Sequence, residues 1–379
     1  KYIPETIRIL KISGSITKLP IFNDSNLYKN ISNIIIDTNG EFTILSDTFK
    51  NNTKLKQISG TITSIESNAF NGSGLNIVNL SVVKNISDGA FNNCKRLIKA
   101  SLTGLTNKTN AIFEYCDKLI SVELGSAIIS SSMFKNCSNI QTVITNTTQI
   151  EDSAFKNTNL NVIQADNLII CGNQSFYNTK IKQFKSKNVI SLGDSCFENC
   201  ENLTDINCES CKTIGNSCFK NCEQLKSVIL NTNSDRIIGE YAFYNNKSLI
   251  EFDTNGIQEI KSSTFENCEN LELIKNINWN ELNSNSEEIY LKIINSKAFK
   301  NCSKLRFSSV ESDKNNYNLS YVSEIGYEAF MNTPVKNFIA SKVSKIDKNV
   351  FSGCSLTDNP ISINLSSLEE FLDNSNNQN

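Results

Sequence analysis

A phenylalanine recurs along the chain at Phe49, Phe70, Phe91, Phe113, Phe134, Phe155, Phe176, Phe197, Phe219, Phe243, Phe265, Phe299, Phe330 and Phe351. Most of the intervals are 21 or 22 residues. Self-similarity at a period of about 20–50 residues marks a solenoid or a related stacked array. One unit of that length cannot bury its own apolar face, whereas a pile of such units can. The 379 residues therefore set the number of turns, not a number of globular domains.

The repeat is legible as physics in residues 214–230. Counted from Phe219, an aliphatic stands at −5 (Ile214), as do Ile65, Ile86, Ile150, Leu192, Ile260 and Ile325 in their own repeats. Position −3 is Ser, Asp or Asn in eleven of the fourteen repeats, which are the favoured helix N-cap residues. Position +2 is Asn or Gly in thirteen, residues that tolerate the left-handed conformation ending a helix. These two signals predict one short helical turn per repeat, with the phenylalanine and the small residue before it pointing inward. The following Leu-x-x-Val-x-Leu (Leu225, Val228, Leu230) ends in the alternation of a short strand with one buried face. Such strands from successive repeats stack as a parallel sheet, and its outer face is where solenoids bind.

Residues 1–44 read as an N-terminal cap and degenerate repeat, with apolar runs but no phenylalanine signature. Residues 45–363 read as the solenoid. Two steps are long, 34 residues from Phe265 to Phe299 and 31 from Phe299 to Phe330. They place insertions near 275–291 and 306–321. Residues 364–379 read as a C-terminal cap and disordered tail, with Ser366-Ser367-Leu368-Glu369 opening a short terminal helix.

The alternation of Ile-x-x-x-Ala-Phe-x-x-Cys (Ile86 to Cys94) with Leu-x-x-Val-x-Leu (Leu225 to Leu230) resembles the BspA-type leucine-rich repeat family. The resemblance spans about residues 45–356. It implies a mostly-β leucine-rich repeat solenoid: short parallel strands stacked in a right-handed, curved array, strands on the concave side. It also implies a surface or secreted protein engaged in adhesion to host proteins or cells.

Composition narrows the chemistry. There is no histidine, which removes imidazole metal ligation and every mechanism built on a histidine base. With 37 basic and 39 acidic residues, the chain has no broad field for nucleic acid or an anionic membrane. No apolar run is long enough for a transmembrane helix. The chain opens on Lys1, as a processed form would. Eight of the thirteen cysteines fall at +3 and the others take inward slots, so they read as buried thiols packing as small hydrophobes. Zinc on Cys208 and Cys211 with Cys196, Cys200, Cys218 and Cys222, and bridges such as Cys200–Cys222, are the alternatives.

Two surfaces are candidates for recognition. The insertions carry Trp279, the only tryptophan, with Tyr290, Tyr317 and Tyr321; aromatic residues are favoured interface anchors. The outward strand positions are polar, and Asp205, Glu251 and Asp253 define a local acidic patch. The reading is a non-enzymatic recognition or adhesion module, without cofactor or metal, extracellular or at the cell surface. Its partner is a protein or glycan, not nucleic acid and not a membrane it inserts into, and self-association is open to it. The alternative is a cytoplasmic scaffold or assembly subunit built on the same solenoid.

Overall fold

The computed structural model describes residues 6–19, 28–125, 128–164, 166–230, 236–276, 280–282, 288–307, 316–335, 337–354, 362–364 and 366–372. They form two compact units, Lys1–Ile181 and Lys182–Asn379. Each unit is a stack of parallel rungs, and seven of the fourteen phenylalanines belong to each.

In the first unit one parallel sheet of eight strands runs in sequence order from Ile9–Gly14 and Asn33–Thr38 to Val162–Gln164. The two leading strands show that the degenerate N-terminal segment continues the ladder: Ile12, Ile36 and Gly60 lie in one register column. Alternation is as the repeat predicts. Ala100 and Leu102, then Val122 and Leu124, point inward, while Lys99 and Glu123 are exposed. A second ladder, of two-residue strands, carries the −5 aliphatics; Thr43–Ile44, Ser64–Ile65 and Asn85–Ile86 pair in parallel.

The second unit follows the same plan with interruptions. Gln183–Lys185, Asp205–Cys208 and Ser227–Leu230 form one sheet, Glu251–Asp253 pairs with Leu273–Lys275, and Asn316–Asn318, Asn337–Ile339 and Ser362–Asn364 form another. The first insertion contains an antiparallel hairpin, Asn280–Leu282 against Glu288–Tyr290. The second re-enters the rung early, because Asn316–Asn318 is already a strand paired with Asn337–Ile339.

The phenylalanine rings form a continuous rod within each unit. Centroids are 5.2–5.7 Å apart from Phe49 to Phe176, with interplanar angles of 4–15°. The rod persists across both insertions, at 5.5 Å for Phe265–Phe299 and 5.6 Å for Phe299–Phe330. The extra residues therefore leave the rung instead of stretching it.

The expected helical turn is absent: among the described residues there is no helix. The reason is where the backbone N–H groups go. In a helix the N–H groups beyond the first turn all point back along the same chain, to the carbonyl four residues earlier. Here they alternate. Thr48, Lys50 and Asn52 donate three residues back, to Leu45, Asp47 and Phe49. Asp47, Phe49 and Asn51 donate instead to Ser67, Ala69 and Asn71 of the next rung, at 3.2, 2.8 and 2.7 Å. Turning N–H groups toward the neighbour puts −2 and +2 in the left-handed region, as in Asp47 (φ 57°) and Asn51 (φ 58°), or Ser217 (φ 53°) and Asn221 (φ 60°).

At −3, Asp88, Asp152, Asp194 and Asn216 accordingly cap the next rung instead of their own. Asp152 Oδ1 accepts from the Asn173 N–H at 2.8 Å, and Asp194 Oδ1 from that of Asn216 at 2.7 Å. At +2 the side-chain amides bond to one another up the stack. Asn157 donates to Asn136 and Asn178 to Asn157, both at 3.0 Å, and Asn221 donates to Asn199 at 2.9 Å. The expected C-terminal helix is likewise replaced: Glu370–Leu372 is a strand pairing with Lys345–Asp347 and continues the short ladder. The expected tail, 373–379, lies outside the described residues.

All thirteen cysteines are buried thiols. At +3 they donate to the phenylalanine carbonyl of the preceding rung, as Cys116 to Phe91 (3.1 Å) and Cys302 to Phe265 (3.0 Å). Burial pushes Cys211 and Cys268 up to about 12. Because the thiolate is the reactive form, a disulfide-exchange reagent at neutral pH is expected to label almost none of them in the native protein. It should label all thirteen in denaturant. Rapid labelling of several in the folded state would contradict this packing.

Candidate functional site

Outward strand positions in the first unit are mostly polar, with isolated aliphatics. Ile77, Ile144 and Val162, each about half exposed, lie among Asn79, Lys99, Ser101, Ser121 and Thr142. Single exposed aliphatics of this kind are ordinary.

In the second unit the strand ladder opens. The step from Phe219 to Phe243 is 24 residues, and Ser227–Leu230 and Glu251–Asp253 belong to separate sheets. A cavity of about 490 Å³ lies there, lined by Lys226, Ile229, Arg236, Ile250, Glu251, Asp253 and Lys275 among others. Ile229 and Ile250 are 49% and 47% exposed, and Val228, at a normally inward position, is half-buried.

Arg236 fixes the floor of this opening. Its side chain is 2% exposed. Nε donates to the Asn255 carbonyl at 2.6 Å, and Nη2 to the Asp253 carbonyl at 2.9 Å and to that of Asn255. Burial lowers it to about 10, opposed by Asp253.

The acidic patch does not form as the sequence suggests. Glu251 is paired with Lys275 at 2.6 Å on the adjacent strand. Asp253 accepts from the Asn255 N–H (2.9 Å) and Asn276 (3.1 Å), with Arg236 at 4.0 Å. Asp205 accepts from Gln183 (3.1 Å) and Thr204 (2.6 Å) and does not line the opening. Lys226, Arg236 and Lys275 outnumber the two carboxylates lining it. The counter-charges come from positions in different repeats, which strand alternation alone does not bring together.

The aromatic candidates also divide. Tyr317 is a core residue, fully buried, its hydroxyl donating to the Leu305 carbonyl at 2.9 Å. It occupies the inward strand slot beside Phe338 and is no surface anchor. Trp279 lies outside the described residues. Tyr290 and Tyr321 are half-buried and touch, with centroids 5.0 Å apart and planes at 37°. Lys292 sits over Tyr290, and Lys342 over both rings. Sequence reasoning named the tyrosines but missed the lysines. The available signal was the repeat register, in which Tyr290, Tyr321 and Lys342 all stand at −9.

The proposed zinc and bridge alternatives meet different surroundings. Cys200 and Cys222 are both buried free thiols, and Cys222 Sγ donates to the Phe197 carbonyl at 3.0 Å. Among the described residues no group of three or more His, Cys, Asp or Glu is placed to hold a metal, and no helix is long and apolar enough to cross a membrane.

Stacked parallel strands, inward aliphatics at fixed offsets and a buried phenylalanine rod define a leucine-rich repeat solenoid. The family model described as the BspA type leucine rich repeat region (6 copies) matches over residues 20–141, 63–182, 127–249, 169–304 and 277–377. The chain belongs to the BspA-type leucine-rich repeat family. No curated protein matches it. Among solved structures it is similar to a leucine-rich repeat protein from Bacteroides ovatus, at 17% identity over 90% of this chain and 88% of that one, with a TM-score of 0.47. It is also similar to a leucine rich cell surface protein from Faecalibacterium prausnitzii (20% identity, 80% and 84% covered, TM-score 0.38). The pneumococcal vaccine antigen PcpA is a third (15% identity, 88% and 84% covered, TM-score 0.42).

Proposed function

We propose that the protein is a non-enzymatic recognition module, exposed at a cell surface or secreted, that binds a protein partner at the opening of the strand ladder between Ser227–Leu230 and Glu251–Asp253. Membership of the BspA-type family supports the module. The observation that carries the site is the opening itself. Among the described residues, Ser227–Leu230 and Glu251–Asp253 do not pair, which leaves backbone edges, two exposed isoleucines and a mixed set of charges around one cavity. An open sheet edge offers main-chain hydrogen bonds to an extended segment, and flanking side chains select it.

The test uses purified protein against a panel of extracellular and surface proteins, comparing wild type with Ile229→Asp and Glu251→Lys. Ile229→Asp is expected to weaken capture about tenfold or more, the scale of a truncated interface anchor. Glu251→Lys, which replaces the partner of Lys275 with a second cation, should change the salt dependence. Binding unaltered in both variants would remove the site from the opening. The buried thiols favour a second reading, a cytoplasmic scaffold on the same fold, since reducing compartments preserve thiols. Fractionation of the native source separates the two: recovery only from the cytosol would replace the surface reading.

A further inference from the structure

Nine residues before Phe299, Phe330 and Phe351 stand Tyr290, Tyr321 and Lys342. They occupy one register position in three successive rungs, four residues before the −5 aliphatic, with Tyr290 at the end of the hairpin strand Glu288–Tyr290. In the earlier repeats that position is small or polar, as in Gly40, Thr61, Gly104, Gly125, Asn188 and Gly256, except for Val82, and none carries an aromatic. The substitution of two aromatics and a cation at consecutive rungs builds a column. Tyr290 and Tyr321 are in contact at 5.0 Å. The Lys342 ammonium lies 4.8 Å from the Tyr321 centroid and 5.8 Å from that of Tyr290, and Lys292 lies 5.1 Å from Tyr290.

Neither Lys292 nor Lys342 has a carboxylate partner among the described residues, whereas many other lysines do, such as Lys275 with Glu251. The nearby carboxylate on the short ladder, Glu324, is taken by Lys345 at 3.8 Å. The tyrosine rings hold the two ammonium groups through their quadrupoles without neutralising them. The apolar residues following each member, Leu291, Val322 and Val343, are buried in the core. The column therefore offers cations, phenol hydroxyls and aromatic surface, while the aliphatic side chains following its members face the core.

We infer that this column is a binding site for an anionic saccharide. Lys292 and Lys342 grip a carboxylate or sulfate, and Tyr290 and Tyr321 supply hydroxyl donors and ring surface to the sugar. The site is separate from the opening in the strand ladder, and its proof or failure leaves the protein-binding reading to its own assay.

The experiment measures binding of the full chain to hyaluronan oligosaccharides (uronate-bearing), dextran sulfate, neutral dextran and poly-L-glutamate by calorimetry at low and high salt. One of the two anionic saccharides, or both, should bind, neutral dextran should not, and poly-L-glutamate should bind more weakly. The combined Lys292→Gln/Lys342→Gln variant should lose about tenfold in affinity and much of the salt dependence. Tyr290→Ala/Tyr321→Ala should weaken the saccharide and leave poly-L-glutamate unchanged. Lys99→Gln, on the strand face of the other unit, should have no effect, and circular dichroism melts check that each variant folds. The inference is overturned by failure of both anionic saccharides to bind, by equal binding of neutral dextran, or by an equal loss in Lys99→Gln. Poly-L-glutamate bound as tightly and lost in the same variants would make the ligand an acidic peptide and overturn it as well.

Discussion

Phe70→Ala is expected to destabilise the first unit by about 3–5 kcal/mol, the range for emptying a buried aromatic site. Phe70 has no exposed surface and lies between Phe49 (5.4 Å) and Phe91 (5.2 Å), nearly parallel to both. Removing its ring deletes two stacking contacts and leaves a void that the flanking rungs cannot close. Each rung is pinned to its neighbours by the backbone bonds from −2, 0 and +2, so the layers cannot approach. Phe70→Leu, which keeps most of the apolar volume, should lose less. Phe351→Ala should also lose less, because Phe351 has a stacked partner on one side only (Phe330, 6.2 Å) and is half-buried. Urea denaturation followed by circular dichroism checks the order. A solenoid's stability is close to a sum of nearest-neighbour terms, so a mid-stack cavity should also broaden the transition. If Phe70→Ala cost no more than Ile77→Ala, at an exposed strand position, the rod would not be what holds the rungs together.

The rod, the inward aliphatics and the burial of the cysteines were legible because each obeys one offset from a repeated phenylalanine. Position alone decides which side of a short strand a residue takes. The turn was harder. Ser or Asp at −3 and Asn at +2 suit a capped helical turn, and they suit equally a turn whose N–H groups cross to the next rung. The two differ only in a contact 21 or 22 residues away. Tyr317 was misplaced for a related reason: interval length showed that residues had been added, not where the strand resumed. Its neighbours Asn316 and Asn318 frame it as Asn337 and Ile339 frame Phe338, so the inward slot was recoverable from alternation. Ser366 to Glu369 resembled a capping box, but the short ladder had room for another strand at Glu370–Leu372. The acidic candidates failed as a patch because Lys275 and Arg236, the groups that offset them, come from different repeats at different offsets.

The amide ladder at +2 gives a sharper test of why asparagine fills that position. Asn221 donates from Nδ2 to Asn199 at 2.9 Å and accepts from Asn245 at 3.0 Å, while its backbone N–H, at φ 60°, donates to Tyr244 at 2.9 Å. Asn221→Gly keeps the left-handed backbone and removes both amide bonds, an expected loss of about 1–2 kcal/mol at about 1 kcal/mol per bond. Asn221→Val removes the same bonds and forces a β-branched residue into the left-handed region, which adds about 1–2 kcal/mol or more. Asn221→Asp separates geometry from donor count. The ionised carboxylate still accepts from Asn245 but has no proton for Asn199, so two oxygens face each other and the variant's carboxyl is held above its usual range. A raised folded-state pKa means stability is retained below the unfolded value, about 4, and lost as pH rises through the folded value. Asn221→Asp should therefore be near wild type in acid and weakest at neutral pH, relative to the wild type at each pH. A deficit that did not change with pH would mean that Asn is selected for its backbone conformation alone and that the side-chain ladder adds nothing to the stack.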